Sequence, residues 1–307
     1  MNKESILVVC LNPTFQKTMV FDRFDENEVN RCSLYRLDAS GKGMNVARII
    51  SQIGGHAKHL THLGGPRMDE MIDLIENDDI DLFYADSGSA IRTCTTIINK
   101  EHNTTTELVE EPSKVNDSTD TYIRVLFSQI IRECTTLVIS GTRAPGYSDS
   151  LYSDFVKEAK ELGKYVILDI KGKDLDSSLQ YGPDIIKPNL SEFVSTYLPG
   201  YTVKESEDNE NLKEVVKEKM KELYETYHTN CIITRGKFPV WIYTAEGFDE
   251  VETIGAEAVN TIGCGDSLTA GLAYHTQQNE SILESLKKGI RYAARNAQML
   301  TPGSLHD

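Results

Sequence analysis

The chain has 307 residues, enough for one large α/β unit with a smaller appendage or for two ordinary domains. With 39% hydrophobic and 26% charged residues, it has the composition of a soluble globule. The formal net charge of −15 argues against nucleic acid or anionic membrane as the main partner, so an anionic substrate needs a local cluster of Arg or Lys.

The first predicted element is a strand at 5–11, SILVVCL. Its apolar run is too short for a signal peptide, and no run in the chain approaches the ~18 apolar residues of a membrane span. Residues 12–40 alternate polar and apolar in short stretches and are expected to form strands outside the main sheet. ASGKGMNVARIISQIGG (39–55) then places Gly41 and Gly43 before a helix. It is not a Rossmann fingerprint, because Val46 occupies the third glycine position, nor a Walker A loop, because Gly43 follows Lys42 where Ser or Thr is needed. What remains is a glycine turn that brings backbone, Lys42 and Asn45 close to a ligand, or a plain helix start; the stretch alone does not choose.

HAKHLTH spaces His56, His59 and His62 by three. Zinc would require the three to converge, whereas in a strand His59 faces away from the other two. They are expected to be exposed and unligated. Residues 91–110 read as a Thr-rich hairpin turning near His102 and Asn103. Strands within about 12–40 and 88–112 are expected to build a small β lid on a single 1–307 domain.

From there, helical stretches near 118–132, 148–162 and 210–227 alternate with apolar strands at 136–140, 165–170, 184–189 and 231–234. Continuous apolar strands separated by helices predict a parallel sheet covered on both faces, with ligands beyond the carboxyl ends of the strands. SGTRAPG (140–146), LDIKG and KPNLSE begin there. In KPNLSE, Asn189 and Glu192 suit a hydrated Mg²⁺, but taken alone they read as a turn Asn and a first-turn Glu favoured by the helix dipole. Arg31, Arg92 and Arg143 each occupy or adjoin a loop-like position; singly they are surface charges, together they would make a phosphate pocket. The acidic stretch 204–214 is expected to be a solvated loop leading into a helix. The six cysteines are scattered without a C-x-x-C pair, which predicts reduced thiols in a cytoplasm.

VNTIGCGDSLTAGLAY (259–274) sets Asp266 between a glycine-rich turn and an apolar helix. By itself the stretch favours an N-cap. The sharper alternative is a carboxylate acting beside helix-start N–H groups that hold an anion.

Taken in order, LNP, GKGMNVARII, IRTCTTI, SGTRAPG, IIKPNLSE, TRG and VNTIGCGDSLTAG resemble the phosphofructokinase-B branch of the ribokinase-like sugar kinases. The resemblance runs from 11–18 to near 300 and looks closest to the 1-phosphofructokinase and tagatose-6-phosphate kinase groups. It implies a three-layer α/β sandwich with a mainly parallel sheet and a β lid. It implies an ATP- and Mg²⁺-dependent kinase whose acceptor is a sugar phosphate, with fructose 1-phosphate first and tagatose 6-phosphate or fructose 6-phosphate as alternatives. Asp266 would then be the base, and Gly263, Cys264 and Gly265 the anion hole. Asn189 and Glu192, with Lys187 nearby, would organise Mg²⁺ and nucleotide phosphates, and Thr234 and Gly236 would contact ATP. Gly41, Lys42 and Asn45 would contact the sugar, and Arg31 and Arg92 its phosphate. Two departures stand out. Gln16 replaces the family's usual Asp on the sugar hydroxyls, and Arg143 adds a cation in SGTRAPG. Gln16 also motivates a rival from another class, a catalytically weak sugar-phosphate sensor. Pairing of two lids in a homodimer stays open.

Overall fold

The computed structural model describes residues 4–32, 34–204 and 207–306. Its large sheet has nine strands in the order β13 (Gly247–Val251), β12 (Phe238–Thr244), β11 (Asn230–Arg235), β10 (Ile185–Ile186), β9 (Tyr165–Asp169), β8 (Cys134–Ser140), β1 (Ser5–Val9), β4 (His56–Leu63) and β5 (Asp81–Asp86). All neighbours from β11 to β5 are parallel, and β12 and β13 add an antiparallel edge.

The central strands are apolar on both faces because both faces are covered. Ile6 and Val8 of β1, with Val138, Ile167 and Ile232, pack on α1 (Lys42–Gln52), α8 (Cys264–Gln277) and α9 (Ile282–Asn296). Leu7 and Val9, with Leu137, Leu168 and Ile233, pack on α3 (Thr119–Ile130), α4 (Leu151–Glu161), α5 (Gly172–Leu179), α6 (Leu190–Tyr197) and α7 (Lys213–Tyr227). Each such side chain contributes about 1.5–3 kcal/mol by leaving water. The three layers are those expected. A further helix, α2 (Met68–Ile75), packs with Phe15 and Met44 below the small sheet.

That small sheet has four strands in the order β3 (Leu34–Ser40), β2 (Thr14–Phe21), β6 (Arg92–Asn99) and β7 (Thr104–Val109). The β6–β7 hairpin turns at Asn103, which takes φ +49. β3 passes directly into α1 through Gly41, whose φ of +116 suits glycine.

Several elements differ from expectation. The strand at 184–189 shrinks to Ile185–Ile186, because Pro188 has no N–H for a ladder. β4, β5 and the β12–β13 hairpin carry no clean apolar pattern and were not expected. β4 also corrects the reading of the histidines. It lies inside the sheet, so His59 and His62 are buried, and only His56 is partly exposed. His59 Nδ1 lies 3.1 Å from Val8 O and His62 Nδ1 lies 2.8 Å from Tyr147 Oη. Burial lowers both rings to about 4, so they are neutral core groups. No metal-holding cluster occurs among the described residues. Of the acidic stretch, Glu205 and Ser206 lie outside the described residues, and Glu210–Leu212 makes a short turn into α7. All six cysteines are free. No helix among the described residues is long and apolar enough to cross a membrane.

α8 is seated by glycines. A Cβ on Gly271 would lie 2.6 Å from Gly289 Cα of α9, and one on Gly289 would lie 2.7 Å from Leu268 O. Gly to Ala inside a helix ordinarily stabilises by roughly 1 kcal/mol. Here Gly271→Ala should reverse that sign and cost about 1–3 kcal/mol by overpacking. A urea titration reads it; a midpoint at or above wild type would mean the two helices do not approach this closely.

Candidate active site

The order of the sheet sets out the site. β11, β10, β9, β8 and β1 lie side by side with their carboxyl ends together. Just at or beyond those ends come Thr234, then Lys187 and Asn189, then Asp169 and Lys171, then Gly141 and Thr142, then Cys10 and Asn12. Two cavities open along this row. One of about 670 Å³ is lined by Asn189, Thr234, Gly236, Cys264 and Gly265, with Leu268, Ile290 and Ala297 giving it an apolar wall. The other, about 130 Å³, is lined by Asn12, Lys42, Arg92, Thr142, Asp169, Lys171 and Glu192.

Charge holds the second cavity together. Lys42, the first residue of α1, lies 3.3 Å from Glu192 Oε1 and 3.7 Å from Asp169 Oδ1. Lys187 Nζ is 3.3 Å from Asp169 Oδ2, and both side chains are almost wholly enclosed. The hydroxyls of Ser140 and Thr269 donate to that same oxygen at 3.3 and 3.2 Å. Burial alone would raise the Asp169 pKa, but Lys187 and Lys42 hold it below the usual carboxylate value. Asp169 in turn is the main reason the Lys42 pKa is raised. Asp169 and Lys42 are therefore charged at neutral pH.

Asp266 sits at the third position of α8, not at its cap. The cap is Gly263, with φ +86 and no side-chain bond to the helix start. A side chain there would strike the backbone of Gly303. Asp266 Oδ2 instead accepts from Asn45 Nδ2 at 2.8 Å. The Asn45 amide is oriented from its other end, where Oδ1 accepts from Ser40 Oγ at 3.0 Å and Arg48 Nη1 at 3.4 Å. Burial pushes the Asp266 carboxyl up to about 6, and Asp169 adds to the rise. Lys42, the Asn45 bond and Lys187 pull the other way. An α-helix leaves its first N–H groups without intrahelical acceptors. Those of α8 lie beside Lys187, whose Nζ is 3.8 Å from where a Gly265 Cβ would stand. Donors, a cation and a carboxylate of raised pKa thus meet within one helical turn. Cys264 contributes no nucleophile, because burial raises its thiol to about 11.

The other expected site residues fall in several places. Asn189 Oδ1 is engaged as the N-cap of α6, accepting from Glu192 N at 2.8 Å. Glu192 Oε2 accepts from Asn189 N in return, so the pair is a capping box whose remaining Glu192 oxygen faces Lys42. Thr234 and Gly236 line the larger cavity, and Thr234 bridges to Asn189. Arg92 lines the smaller one; its Nη1 donates to Glu110 O at 3.0 Å, while Nε is buried with no partner among the described residues. Gln16 is turned into the small sheet, where Nε2 donates to Thr96 Oγ1 at 2.8 Å. Arg31 is exposed near the turn end of the β2–β3 hairpin, the opposite end from Gly41. Arg143 does not line either cavity; Asp149, Asp174 and the Tyr147 carbonyl take its donors. Asp169, Lys171, Thr142 and Asn12 were not singled out from sequence. Their shared signal is position, at or just past the carboxyl end of an apolar strand.

Charged groups beyond the carboxyl ends of a parallel sheet, with a helix start lining the larger cavity, suit the transfer of a phosphoryl group. Residues 10–303 match the model of the pfkB family carbohydrate kinases, and the chain belongs to that family. The family uses ATP as phosphoryl donor. The chain is 28% identical over 303 residues to a tagatose-6-phosphate kinase of Staphylococcus epidermidis, covering 98% of this chain and 94% of that one. Among solved structures it resembles a possible 1-phosphofructokinase from Thermotoga maritima, with TM-score 0.85, 20% identity, and 97% and 93% of the two chains covered. It also resembles phosphofructokinase-2 from Escherichia coli in complex with fructose-6-phosphate, with TM-score 0.80, 18% identity, and 97% and 94% covered.

The Asp266 environment predicts two linked effects. Its raised folded pKa means that its contribution to stability is fully present below the unfolded carboxyl value and lost as pH rises through about 6. Asp266→Asn should therefore melt at or above the wild-type temperature at pH 8, with the advantage shrinking toward pH 4. If Asp266 accepts the proton, the same variant should lose about 10²–10⁴ in kcat, and wild-type kcat should fall as pH drops through about 6. Near-normal turnover together with a lowered melting temperature would make Asp266 a structural residue only.

Proposed function

We propose that the chain is a Mg²⁺- and ATP-dependent kinase of a ketohexose phosphate, acting in the cytoplasm. Asp266 is the base. Asn45 holds Oδ2, which leaves Oδ1 to take the proton of the attacking hydroxyl. The N–H groups of the cap Gly263 and of Cys264 and Gly265 at the start of α8 receive the oxygens of the transferring phosphoryl group. Lys42 and Lys187 offset the charge that accumulates there. Thr234, Gly236 and the apolar wall of the larger cavity take the nucleotide. The small sheet acts as a lid that excludes water from the acceptor. A protein that only senses a sugar phosphate has no use for a buried carboxyl titrating near 6, which is why we set the sensor reading aside.

Glu192 Oε1 and Asp169 Oδ1 already share one cation, the Lys42 ammonium. One or two carboxylates of this kind fit a hydrated Mg²⁺ held mainly through nucleotide phosphates. The metal would supply charge neutralisation on those phosphates. Asn189 is less suited to it, because its oxygen is committed to the cap.

Arg92 carries the choice of a phosphorylated sugar. It lines the smaller cavity and keeps a buried Nε with no partner among the described residues. Tagatose 6-phosphate, after the full-length relative, and fructose 1-phosphate, after the sequence resemblance, are the two acceptors to compare first. We extend the proposal to a homodimer through the lid. Tyr35, Met19, Ile97 and Leu108 share one face of the small sheet, and Tyr35 and Leu108 are exposed.

Arg92→Ala should raise the KM for the sugar phosphate about 10–100-fold, the equivalent of one charged hydrogen bond, and leave the KM for ATP alone. Turnover of unphosphorylated ketose as fast as its phosphate would overturn the assignment. Glu192→Gln keeps the capping box, since Gln serves at that position too. It should preserve the melting temperature and raise the Mg²⁺ concentration needed for half-maximal nucleotide binding. An unchanged Mg²⁺ titration would return Glu192 to a purely structural role.

A further inference from the structure

Asn12 has no assigned part in this chemistry, yet its surroundings do not explain it. It follows β1 in the stretch LNP and is only 6% exposed. An Asn before Pro in a turn ordinarily bonds its own backbone two residues on. This one does not. Its Nδ2 donates across to Thr142 Oγ1 at 3.0 Å, beyond the end of β8. Its Oδ1 is buried with no partner among the described residues. Such an atom forgoes hydration without return unless a water or a ligand completes it, and this one lines a cavity.

The missing partner has to be a donor, because an amide oxygen only accepts. Neither cation lining the same cavity bonds it: Lys42 faces Glu192 and Asp169, and Arg92 gives Nη1 to the Glu110 carbonyl and keeps Nε for the acceptor's phosphate in the reading above. An ionised phosphate offers acceptors only, so it does not answer Oδ1. A neutral hydroxyl does. Asn12 and Thr142 line the same small cavity as Lys42 and Arg92. Gln16, the residue expected to read sugar hydroxyls, is occupied by Thr96.

We propose that Asn12 Oδ1 accepts a hydrogen bond from a secondary hydroxyl of the sugar and makes Asn12 a specificity-determining residue. Thr142 positions it by holding the amide nitrogen. The phosphate end of the acceptor then lies toward Arg92 and the hydroxyl end toward Asn12. This rests on the sugar-phosphate kinase reading above.

The test has two arms. In the first, tagatose 6-phosphate, fructose 6-phosphate and fructose 1-phosphate are titrated calorimetrically into protein without nucleotide. Asn12→Ala should weaken the best-bound sugar about tenfold or more, while Asn12→Asp, which keeps an acceptor, should retain the preference order. In the second, kcat/KM is measured for the best acceptor and its singly deoxygenated analogues. One analogue should cost the wild type about tenfold and cost Asn12→Ala nothing further, the signature of a direct pair. The KM for ATP should not move. Equal losses for Asn12→Ala on every sugar and on ATP would mean a structural role and overturn the proposal. So would an unchanged sugar affinity. If wild type binds a sugar phosphate but phosphorylates none, the kinase reading fails, and the calorimetric arm still decides Asn12.

Discussion

The site depends on a set of enclosed charges that must be brought together to be tolerated. Asp169, Lys187 and Asp266 are almost wholly enclosed, and Lys42 reaches Asp169 from a half-exposed position at the cavity wall. An isolated buried charge costs several kcal/mol, and losing one partner leaves the other uncompensated. The four come from the start of α1, the end of β10, the end of β9 and the first turn of α8. Only a fold that ends its central strands at one level, with two helix starts above them, satisfies all four. The parallel sheet therefore does more than bury Ile6, Leu7, Val8 and Val9. It sets the register at which Asp169 meets both lysines, and the close glycine packing of α8 on α9 sets the height at which Asp266 meets Asn45.

The same enclosure divides the two carboxylates by role. Asp169 has two lysines and two hydroxyls, which hold it ionised. Asp266 has little water and a neighbouring negative charge, which raise it to about 6 against the pull of Lys42, the Asn45 amide and Lys187. Two aspartates in one cleft thus differ in proton affinity because of what surrounds them. That difference is what the proposed chemistry needs: one charge fixed in place, one able to accept a proton near neutral pH.

Much of this was legible in the sequence, and the rest was hidden for identifiable reasons. The glycine-rich stretch was legible as a helix start, but by itself it favoured Asp266 as the cap, whereas the cap is Gly263. The β6–β7 hairpin was plain from its Thr-rich alternation around Asn103. Asp169 was not, since a single Asp closing an apolar strand has no spacing to mark it; only the sheet order puts lysines on both sides of it. His59 and His62 misled because a polar-looking strand was assumed to lie at the surface, whereas β4 is interior and neutral imidazoles suit it. Arg143 misled because an Arg in a strand-end loop has two uses, and here Asp149 and Asp174 take it. Gln16 was seen as a departure, but its partner Thr96 lies eighty positions away on another strand and is invisible to any local pattern.

The net charge of −15 gives the cleft its remaining logic. A strongly anionic protein repels a doubly anionic nucleotide and a phosphorylated sugar at long range, and salt confines that repulsion to about 8–10 Å. Attraction must then be short-ranged, which means cations lodged in the walls rather than spread over the surface. Lys42, Lys171, Lys187 and Arg92 supply them, three of them already facing carboxylates. An arriving phosphate thus joins an existing alternation of charge instead of meeting a bare positive patch. Cations alone would hold any phosphate. In the proposed reading, discrimination falls to the acceptor atoms left over, Asp266 Oδ1 for the reacting hydroxyl and Asn12 Oδ1 for a neighbouring one. In that reading phosphate groups set the strength of binding, and the choice among sugars falls to Asn12 Oδ1, which is buried without a partner among the described residues.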